Sequence, residues 1–186
     1  MNAALQAPVL TKPFLKSFAR EAAIALAGSL YLAVLSQVRI PLLFTPVPIT
    51  GQTFGVATLA LLLGSRRSLA SFGLYLIEGA AGLPVFASLQ SGILLGSTSG
   101  YLVGMAASSW VIGKFRDLGL TRTFRGAFVA CVSGSACVFT FGLIGLSFFV
   151  PLKSLLVMGL LPFLAGDLVK NTLAATAAAS LAKADT

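Results

Sequence analysis

The chain contains no histidine and has few charged residues. Of its 186 residues, 10% are charged and 57% are hydrophobic, whereas soluble domains have about 25% charged and about 45–50% apolar residues. A soluble fold of this length leaves much of its chain in water, and thirteen basic and five acidic side chains cannot solvate so apolar a surface. The composition excludes a soluble globular domain and a disordered chain, and it predicts an integral membrane protein.

Several kinds of functional site are excluded by what is missing. Without histidine there is no Ser-His or Cys-His catalysis, no His-ligated metal and no His-ligated haem. The sequence also lacks the G-x-x-x-x-G-K-[ST] loop that binds ATP phosphates. The two cysteines, Cys131 and Cys137, are six residues apart in an apolar stretch. This spacing puts them on different faces of a helix, so we expect small core residues rather than a disulfide.

Six hydrophobic stretches are separated by charges or by glycine and proline. A membrane-spanning helix needs about 20 residues. The predicted helices cover residues 22–38, 52–64, 68–78, 96–113, 126–146 and 162–182. The second helix is short because Pro41, Pro46 and Pro48 interrupt the stretch before it. The predicted fold class is an all-α integral membrane protein, with one membrane domain at 20–182 between cytoplasmic segments 1–19 and 183–186.

The basic residues are unevenly distributed between the two sides of this topology. Six spans place both termini on one side of the membrane. Ten basic residues share that side: Lys12, Lys16, Arg20, Arg66, Arg67, Lys114, Arg116, Arg122, Arg125 and Lys183. Only Arg39 and Lys153 are predicted on the other side. Basic loops are retained in the cytoplasm, so we expect both termini inside, in the cytoplasmic (inner) membrane. The net charge of +8 then reflects topology rather than nucleic-acid binding.

The sixth predicted helix contains two charged residues, Asp167 and Lys170. Residues three apart share a helix face. An ionised side chain at the centre of a membrane helix costs about 2.5–3.5 kcal/mol, so such residues usually face a cavity or a partner. Two interpretations remain open: a neutralising pair that fixes the bundle, or a ligand site in the outer half of the membrane.

Two irregular segments, 40–51 and 82–95, favour the ligand site. Non-helical backbone at membrane depth is tolerated only where it is buried in protein or lines a cavity. Both segments belong to the outer side, and we expect them to cap a pocket over Asp167 and Lys170. The polar groups expected around it are Arg39, Thr45, Thr50, Gln52, Thr53 and Glu78. The apolar walls are expected to come from Phe44, Phe54 and Phe86.

Small residues recur at helical spacing in two places. Gly96, Gly100, Gly104 and Ser108 repeat every four residues, which predicts a smooth face for close helix packing. Ala23 and Ala27 form a shorter step of this kind on the first helix. Trp110 is placed near the cytoplasmic end of its helix, where an interfacial anchor is expected.

Four segments in order resemble the motifs of one known family. They are Pro46-Val47-Pro48-Ile49-Thr50-Gly51-Gln52-Thr53, Gly82-Leu83-Pro84-Val85-Phe86-Ala87, Gly100-Tyr101-Leu102-Val103-Gly104, and residues 162–170, PFLAGDLVK. They resemble the biotin transporter family, the BioY-type substrate-binding S components of energy-coupling factor (ECF) transporters. The resemblance covers about residues 20–182, and the six-helix topology of that family agrees with the spans derived above.

The resemblance implies a transport component rather than an enzyme, with biotin as its transported ligand and no cofactor. Such components dock on a membrane scaffold subunit driven by two ATPases, and Ala23 and Ala27 match the docking step on the first helix. The residues that the resemblance and the expected pocket assign to biotin are Asp167, Lys170, Arg39, Glu78, Gln52, Thr50, Phe86 and Tyr101.

The chemistry of biotin suits these residues. An ionised Asp167 only accepts hydrogen bonds and Lys170 only donates them, so they can bind the N–H groups and the carbonyl oxygen of the ureido ring. The biotin carboxylate needs a cation, which is either Arg39 or Lys170. Four alternatives stay open: a stand-alone biotin facilitator, an S component for another small vitamin, an intramembrane enzyme that uses Asp167 and Lys170 on a lipid, and a structural or assembly protein.

Overall fold

The computed structural model describes residues 12–92 and 95–184. Within them, six long helices and one short helix are connected by loops. The helices are α1 (Lys12–Gln37), α2 (Gln52–Leu63), α3 (Ser65–Ala80), α4 (Ser99–Asp117), α5 (Phe124–Leu146), the short α6 (Leu155–Gly159) and α7 (Leu161–Ala184). The prediction of a mostly helical chain with six long helices is confirmed.

The first helix begins earlier than the sequence predicted. Helix α1 begins at Lys12, so residues 12–19 of the expected N-terminal segment are helical. The remainder of that segment, residues 1–11, lies outside the described residues, as do residues 185–186 of the expected C-terminal tail.

Three stretches of the described chain are long and apolar enough to cross a membrane. They are Lys16–Gln37, Phe124–Leu146 and Leu152–Ala182. Helix α2 is equally apolar but has only 12 residues, which gives a length of about 18 Å at about 1.5 Å per residue. This is shorter than the hydrocarbon core of a bilayer, about 30 Å.

The connections between helices alternate between the two ends of the bundle. Residues 38–51, 81–98 and 147–160 connect helices at one end, which we call the loop end. Gly64 and residues 118–123 connect helices at the opposite end. Gly64 alone joins α2 to α3 and has a φ of 82°, a backbone conformation that favours glycine. The bundle therefore has one tight end and one end with long loops.

The loop end is more ordered than the sequence predicted. Residues 40–51 were expected to be irregular, but Arg39–Ile40 (β1) and Ile49–Thr50 (β2) pair as antiparallel strands. Arg39 is opposite Thr50 in this pairing. The connection 147–160 contains α6. These short elements satisfy backbone N–H and C=O groups that would otherwise be left unpaired near the membrane.

At the tight end, the carboxylate of Asp117 connects the end of α4 to the start of α3. Its Oδ2 accepts hydrogen bonds from the Ser65 hydroxyl at 2.5 Å and from the Ser65 backbone N–H at 3.1 Å. These bonds hold the pKa of the Asp117 carboxyl below its usual value. The contact supplies a partner to one of the N–H groups that a helix leaves unsatisfied at its start.

Helices α4 and α5 pack with their backbones in contact through the predicted glycines. A Cβ on Gly104 would lie 2.7 Å from the Cα of Val138 and 2.9 Å from the carbonyl oxygen of Cys137. A Cβ on Gly100 would collide with the backbone of Phe141 and Gly145. The packing role predicted for these two glycines is confirmed. Gly96 differs, because it precedes α4 and no described atom lies within 4 Å of its added Cβ.

The two cysteines and the tryptophan lie as the sequence predicted. Cys131 is buried and Cys137 is partly buried, and both are free thiols. Trp110 is half exposed, and the Nζ of Lys114 lies 5.6 Å from its ring centroid. Both residues are in the part of α4 nearer the tight end, which is the expected position for an anchor at the membrane interface.

We expect Gly104→Ala to destabilise the fold by about 1–3 kcal/mol, because the added methyl group meets backbone atoms of α5 that cannot rotate away. The measurement is thermal unfolding in detergent. The matched control is Gly73→Ala in α3, where no atom lies within 4 Å of the added Cβ. There we expect no loss or a gain of up to about 1 kcal/mol from helix propensity. Equal stability of the two variants would contradict the packing described here.

Candidate ligand-binding site

A cavity of about 450 Å³ lies at the loop end. Its walls come from β1 and β2 with the loop between them, the start of α2, the 81–98 loop, and helices α4, α5 and α7. This volume is within the range of about 300–1,000 Å³ that is typical of small-molecule sites. The loops that interrupt the apolar segments therefore surround a cavity, as the sequence predicted.

The structure brings together seven of the eight residues that the sequence assigned to the ligand. Those that line the cavity are Arg39, Thr50, Gln52, Phe86, Tyr101, Asp167 and Lys170. They come from β1, β2, the start of α2, the 81–98 loop, α4 and α7, which are distant in sequence. The cavity therefore depends on the packing of the whole loop end rather than on one motif.

Glu78 is the exception, and its expected place in the pocket is corrected by the structure. Its Oε1 accepts a hydrogen bond from the Ser29 hydroxyl of α1 at 2.9 Å, and it does not line the cavity. Its Oε2 is buried without a partner among the described residues. The cavity side of α3 is occupied instead by Tyr75 and Gly79, which pack against Phe86. Glu78 therefore connects α3 to α1.

Two of the expected aromatic walls are also corrected. Phe44 is half exposed, and Phe54 packs against a separate cluster between α2, α4, α5 and α7. Phe86 does line the cavity, as expected, and the apolar lining also includes Leu102, Met105, Val138, Phe139 and Phe163. Thr45, expected among the polar groups, donates to the carbonyl oxygen of Met158 at 2.8 Å and lies outside the lining. Thr53 does line the cavity.

Lys170 reaches from α7 to the start of α2. Its Nζ donates to the Thr53 hydroxyl at 2.6 Å and to the carbonyl oxygen of Thr50 at 3.2 Å. An ammonium group has three N–H donors, so these contacts use two and one remains for a ligand. The side chain is half-buried, so hydrogen bonds from the protein replace much of its lost hydration.

Asp167 is held in position by two residues that the sequence analysis missed. Its Oδ2 accepts a hydrogen bond from the side-chain amide of Asn171 at 2.9 Å, and the same Nδ2 donates to the Ser135 hydroxyl of α5 at 2.9 Å. Asn171 is only 5% exposed. Its spacing of four residues from Asp167 places it on the same helix face, and this signal was available in the sequence. Ser135 had no comparable signal.

Asp167 and Lys170 are thus bound to different neighbours. The ion pairs in the described part of the chain join Arg67 to Glu21 and Arg116 to Asp117. Lys170 contacts α2, whereas Asp167 contacts Asn171. A neutralising pair that only fixes the bundle is therefore not what the structure shows, and both charges face the cavity.

Gln52 connects the polar and aromatic sides of the cavity. Its Nε2 donates to the hydroxyl oxygen of Tyr75 at 2.6 Å, and its Oε1 accepts from the Thr50 hydroxyl at 3.1 Å. The Tyr75 ring in turn lies edge-on to the ring of Phe86, with 5.2 Å between centroids. The position of Phe86 is therefore fixed by packing against a hydrogen-bonded side chain.

Tyr101 braces the opposite wall of the cavity. Its hydroxyl donates to the carbonyl oxygen of Gly159 at 2.7 Å, at the end of α6. Its ring packs beside Phe163 of α7, with 6.4 Å between centroids. Tyr101 thereby holds the start of α7 against α4, in addition to lining the cavity.

The site combines three chemical environments. A carboxylate and an ammonium group lie on one helix face, apolar and aromatic side chains form the walls, and the exposed Arg39 is at the rim. This arrangement suits a small ligand with a polar head that both donates and accepts hydrogen bonds, an apolar body and an acidic tail. The lining offers no trio of metal-ligating side chains, and none was found elsewhere in the described residues.

Ala23 and Ala27 lie apart from this site, on α1. Both are exposed. They share a face of α1 with Leu30 and Val34, which are 54% and 68% exposed. This face is therefore available to lipid or to a partner helix.

Comparison with known proteins gives consistent results. The BioY family model matches residues 4–185. A protein named biotin transporter BioY from Thermotoga maritima is 34% identical over 141 residues, which are 74% of this chain and 82% of that relative. A probable biotin transporter BioY from Pyrococcus horikoshii is 32% identical over 127 residues, 67% of this chain and 74% of that relative.

A solved structure has the same fold. It is the 2.1 Å crystal structure of the S-component for biotin from an ECF-type ABC transporter. It is 28% identical in sequence, gives a TM-score of 0.81, and the match covers 90% of this chain and 93% of that one. The range that the family model matches, residues 4–185, includes all the residues that line the cavity.

Proposed function

The chain belongs to the BioY family, and from this premise we propose that it is the membrane-embedded component that binds biotin and mediates its uptake. The observation that carries this proposal is the cavity at the loop end. Asp167 and Lys170 face it from one helix, and both are oriented by other residues of the protein. The named relatives are biotin transporters rather than enzymes.

In the proposed complex, the ureido ring of biotin lies against α7. Asp167 accepts hydrogen bonds from ureido N–H groups, and the remaining N–H donor of Lys170 binds the ureido carbonyl oxygen. The aromatic and aliphatic walls cover the thiophane ring and the chain. Arg39 binds the carboxylate, because it is exposed at the rim, whereas two donors of Lys170 bind Thr50 and Thr53 and the third binds the ureido oxygen.

Biotin titration into the purified chain in detergent tests this assignment. We expect Asp167→Asn and Lys170→Met each to lower the affinity at least about thirtyfold, or about 2 kcal/mol, because the partner group is left unpaired in a half-buried site. Glu78→Gln is the matched control, since Glu78 carries charge but faces α1, and its affinity should change by less than about threefold. If both cavity variants bind as the wild type does, biotin binds elsewhere. If the folded wild type does not bind biotin, the proposed substrate is wrong.

We further propose that the six long helices all span the membrane, with both chain ends in the cytoplasm and the cavity facing outward. The support is the distribution of charge: Arg66, Lys114, Arg116 and Arg122 lie at the tight end, and Arg39 and Lys153 lie at the loop end. The short helix α2 reaches across with the help of the segments that surround the cavity.

Reporter fusions after residue 186 test this topology in bacterial cells. Green fluorescent protein should fluoresce there, because it folds in the cytoplasm, and alkaline phosphatase should be inactive, because it needs an oxidising compartment. A matched fusion in the loop at residues 147–154 should behave in the opposite way. The reverse pattern at both positions would contradict the proposed orientation.

For energy coupling, we infer that α1 docks on a transmembrane scaffold subunit that works with two ATPase subunits. The similar structure is described as an S-component from an ECF-type transporter. On this chain, Ala23 and Ala27 are exposed at a spacing that lets a second helix approach closely. The exposed leucine and valine on the same face extend this apolar surface.

Bulky substitutions on this face of α1 should reduce biotin uptake without changing biotin affinity. Ala27→Trp should lower biotin uptake by cells that contain the scaffold and ATPases at least about tenfold, because an indole keeps the helices apart. The biotin affinity of the purified variant should not change, since Ala27 lies far from the cavity lining. Ala22→Trp is the control, because Ala22 is also exposed but lies about 140° around the helix from Ala27. Equal uptake by the wild type, Ala27→Trp and Ala22→Trp would contradict the docking face. In a separate experiment, biotin uptake by liposomes that contain only this chain would support a stand-alone facilitator.

A further inference from the structure

The last residue of α1, Gln37, binds the backbone of the loop that covers one side of the cavity. We call residues 85–92 of this loop the lid. The side-chain Oε1 of Gln37 accepts a hydrogen bond from the Leu89 N–H at 3.1 Å, and its Nε2 donates to the carbonyl oxygen of Phe86 at 3.0 Å. One amide group therefore holds the lid at two points. The neighbouring Ser36 hydroxyl adds a bond to the carbonyl oxygen of Val85 at 2.7 Å.

The lid has a backbone conformation that needs such support. Ser88 and Leu89 are consecutive residues with φ values of 66° and 55°, in the left-handed region that side-chain-bearing residues rarely adopt. Within the lid, the Phe86 N–H donates to the carbonyl oxygen of Gln90 at 3.0 Å. Gln37 binds the peptide group at the second of the two left-handed residues, so it stabilises the turn where the backbone is least favourable.

The lid also carries part of the ligand site. Phe86, Ala87, Ser88 and Gln90 line the cavity. Phe86 is 3% exposed, and its ring packs so closely on Gly79 that a Cβ there would collide with it. Gln37 does not line the cavity, so any effect it has on a ligand acts through the lid.

We propose that Gln37, with Ser36, is the latch that keeps the lid closed and thereby sets how long biotin stays bound. This inference rests on the proposed function of the cavity. Bound biotin leaves when the lid opens, so a weaker latch raises the open fraction and the dissociation rate. The association rate is not lowered, because an open lid does not obstruct the cavity. Gln37 is thus a positioning residue for the ligand site.

Gln37→Met tests the latch, since methionine has a similar length and makes no comparable hydrogen bonds. We expect labelled biotin, chased with excess unlabelled biotin, to dissociate about tenfold faster, as expected for the loss of two hydrogen bonds. The association rate should be no slower, and the one-to-one stoichiometry and the ligand-free melting temperature should be unchanged. Ser36→Ala should give a smaller change in the same direction. The control is Val38→Ala, next to Gln37 in the chain and 61% exposed, which does not line the cavity and should match the wild type.

Amide hydrogen exchange without biotin tests the same latch independently of the ligand. In Gln37→Met, the peptides that cover residues 85–92 should exchange faster than in the wild type, and those of α4 and α5 should not. Unchanged exchange in the lid overturns the proposal.

The outcomes separate the latch from the function of the site. If the wild type binds biotin and Gln37→Met releases it at the wild-type rate, the latch is wrong and the proposed function stands. If Gln37→Met lowers the melting temperature and the stoichiometry without changing the dissociation rate, Gln37 is only structural and the proposal is overturned. If the folded wild type does not bind biotin, the proposed function fails, and the role of Gln37 in biotin release fails with it.

Discussion

A charged group inside a membrane protein has to be hydrogen-bonded by the protein itself, and the arrangement of the loop end follows from how Lys170 meets this requirement. Its ammonium group is bound by Thr53 and by the carbonyl oxygen of Thr50. Both acceptors lie where β2 ends and α2 begins. This is possible only because the apolar segment before Gln52 is not helical, so that its backbone carbonyls are free to face α7. The late start of α2, at Gln52, therefore provides the hydrogen-bond acceptors that the half-buried Lys170 needs.

The other polar side chains of the cavity follow the same rule. Asp167 is bound by Asn171, and Gln52 is bound by Thr50 and Tyr75. Each group keeps part of its hydrogen-bonding capacity unused and facing the cavity. The protein thus holds these side chains in place without a ligand, which lowers the entropy that binding at the proposed site must offset. Close packing through Gly100 and Gly104 gives this arrangement a rigid support on α4 and α5.

Much of this fold could be predicted from the sequence, because the membrane imposes strong constraints on composition. Long uncharged stretches predict helices, and proline and glycine predict where the helices end. Two charges in an apolar helix predict that Asp167 and Lys170 face a cavity.

What could not be predicted is which neighbour each side chain meets. Glu78 was expected in the cavity and instead binds Ser29, because the rotation of α3 about its axis depends on packing with α1. Helix α2, in turn, is apolar on all sides, so its sequence gives little information about its own rotation. Phe54 was misassigned for this reason, and Phe44 was misassigned because it lies in the loop between β1 and β2, which has no periodic pattern. The β1–β2 pairing was missed because strands of two residues leave no periodic pattern either.

Helix α2 is short, so in the proposed orientation the lipid around it contributes to the free energy of ligand binding. A helix of 12 residues is shorter than the hydrocarbon layer by about 12 Å at about 1.5 Å per residue. Hydrophobic mismatch of this kind is met by local thinning of the bilayer or by filling the gap with protein, at a cost of fractions of a kcal/mol for each ångström. Helix α2 begins next to the residues that bind Lys170. The difference in length between α2 and the hydrocarbon layer is therefore made up either by the segments around the cavity or by the lipid beside them. In the proposed orientation, the thickness of the membrane is therefore a thermodynamic variable of biotin binding at the proposed site.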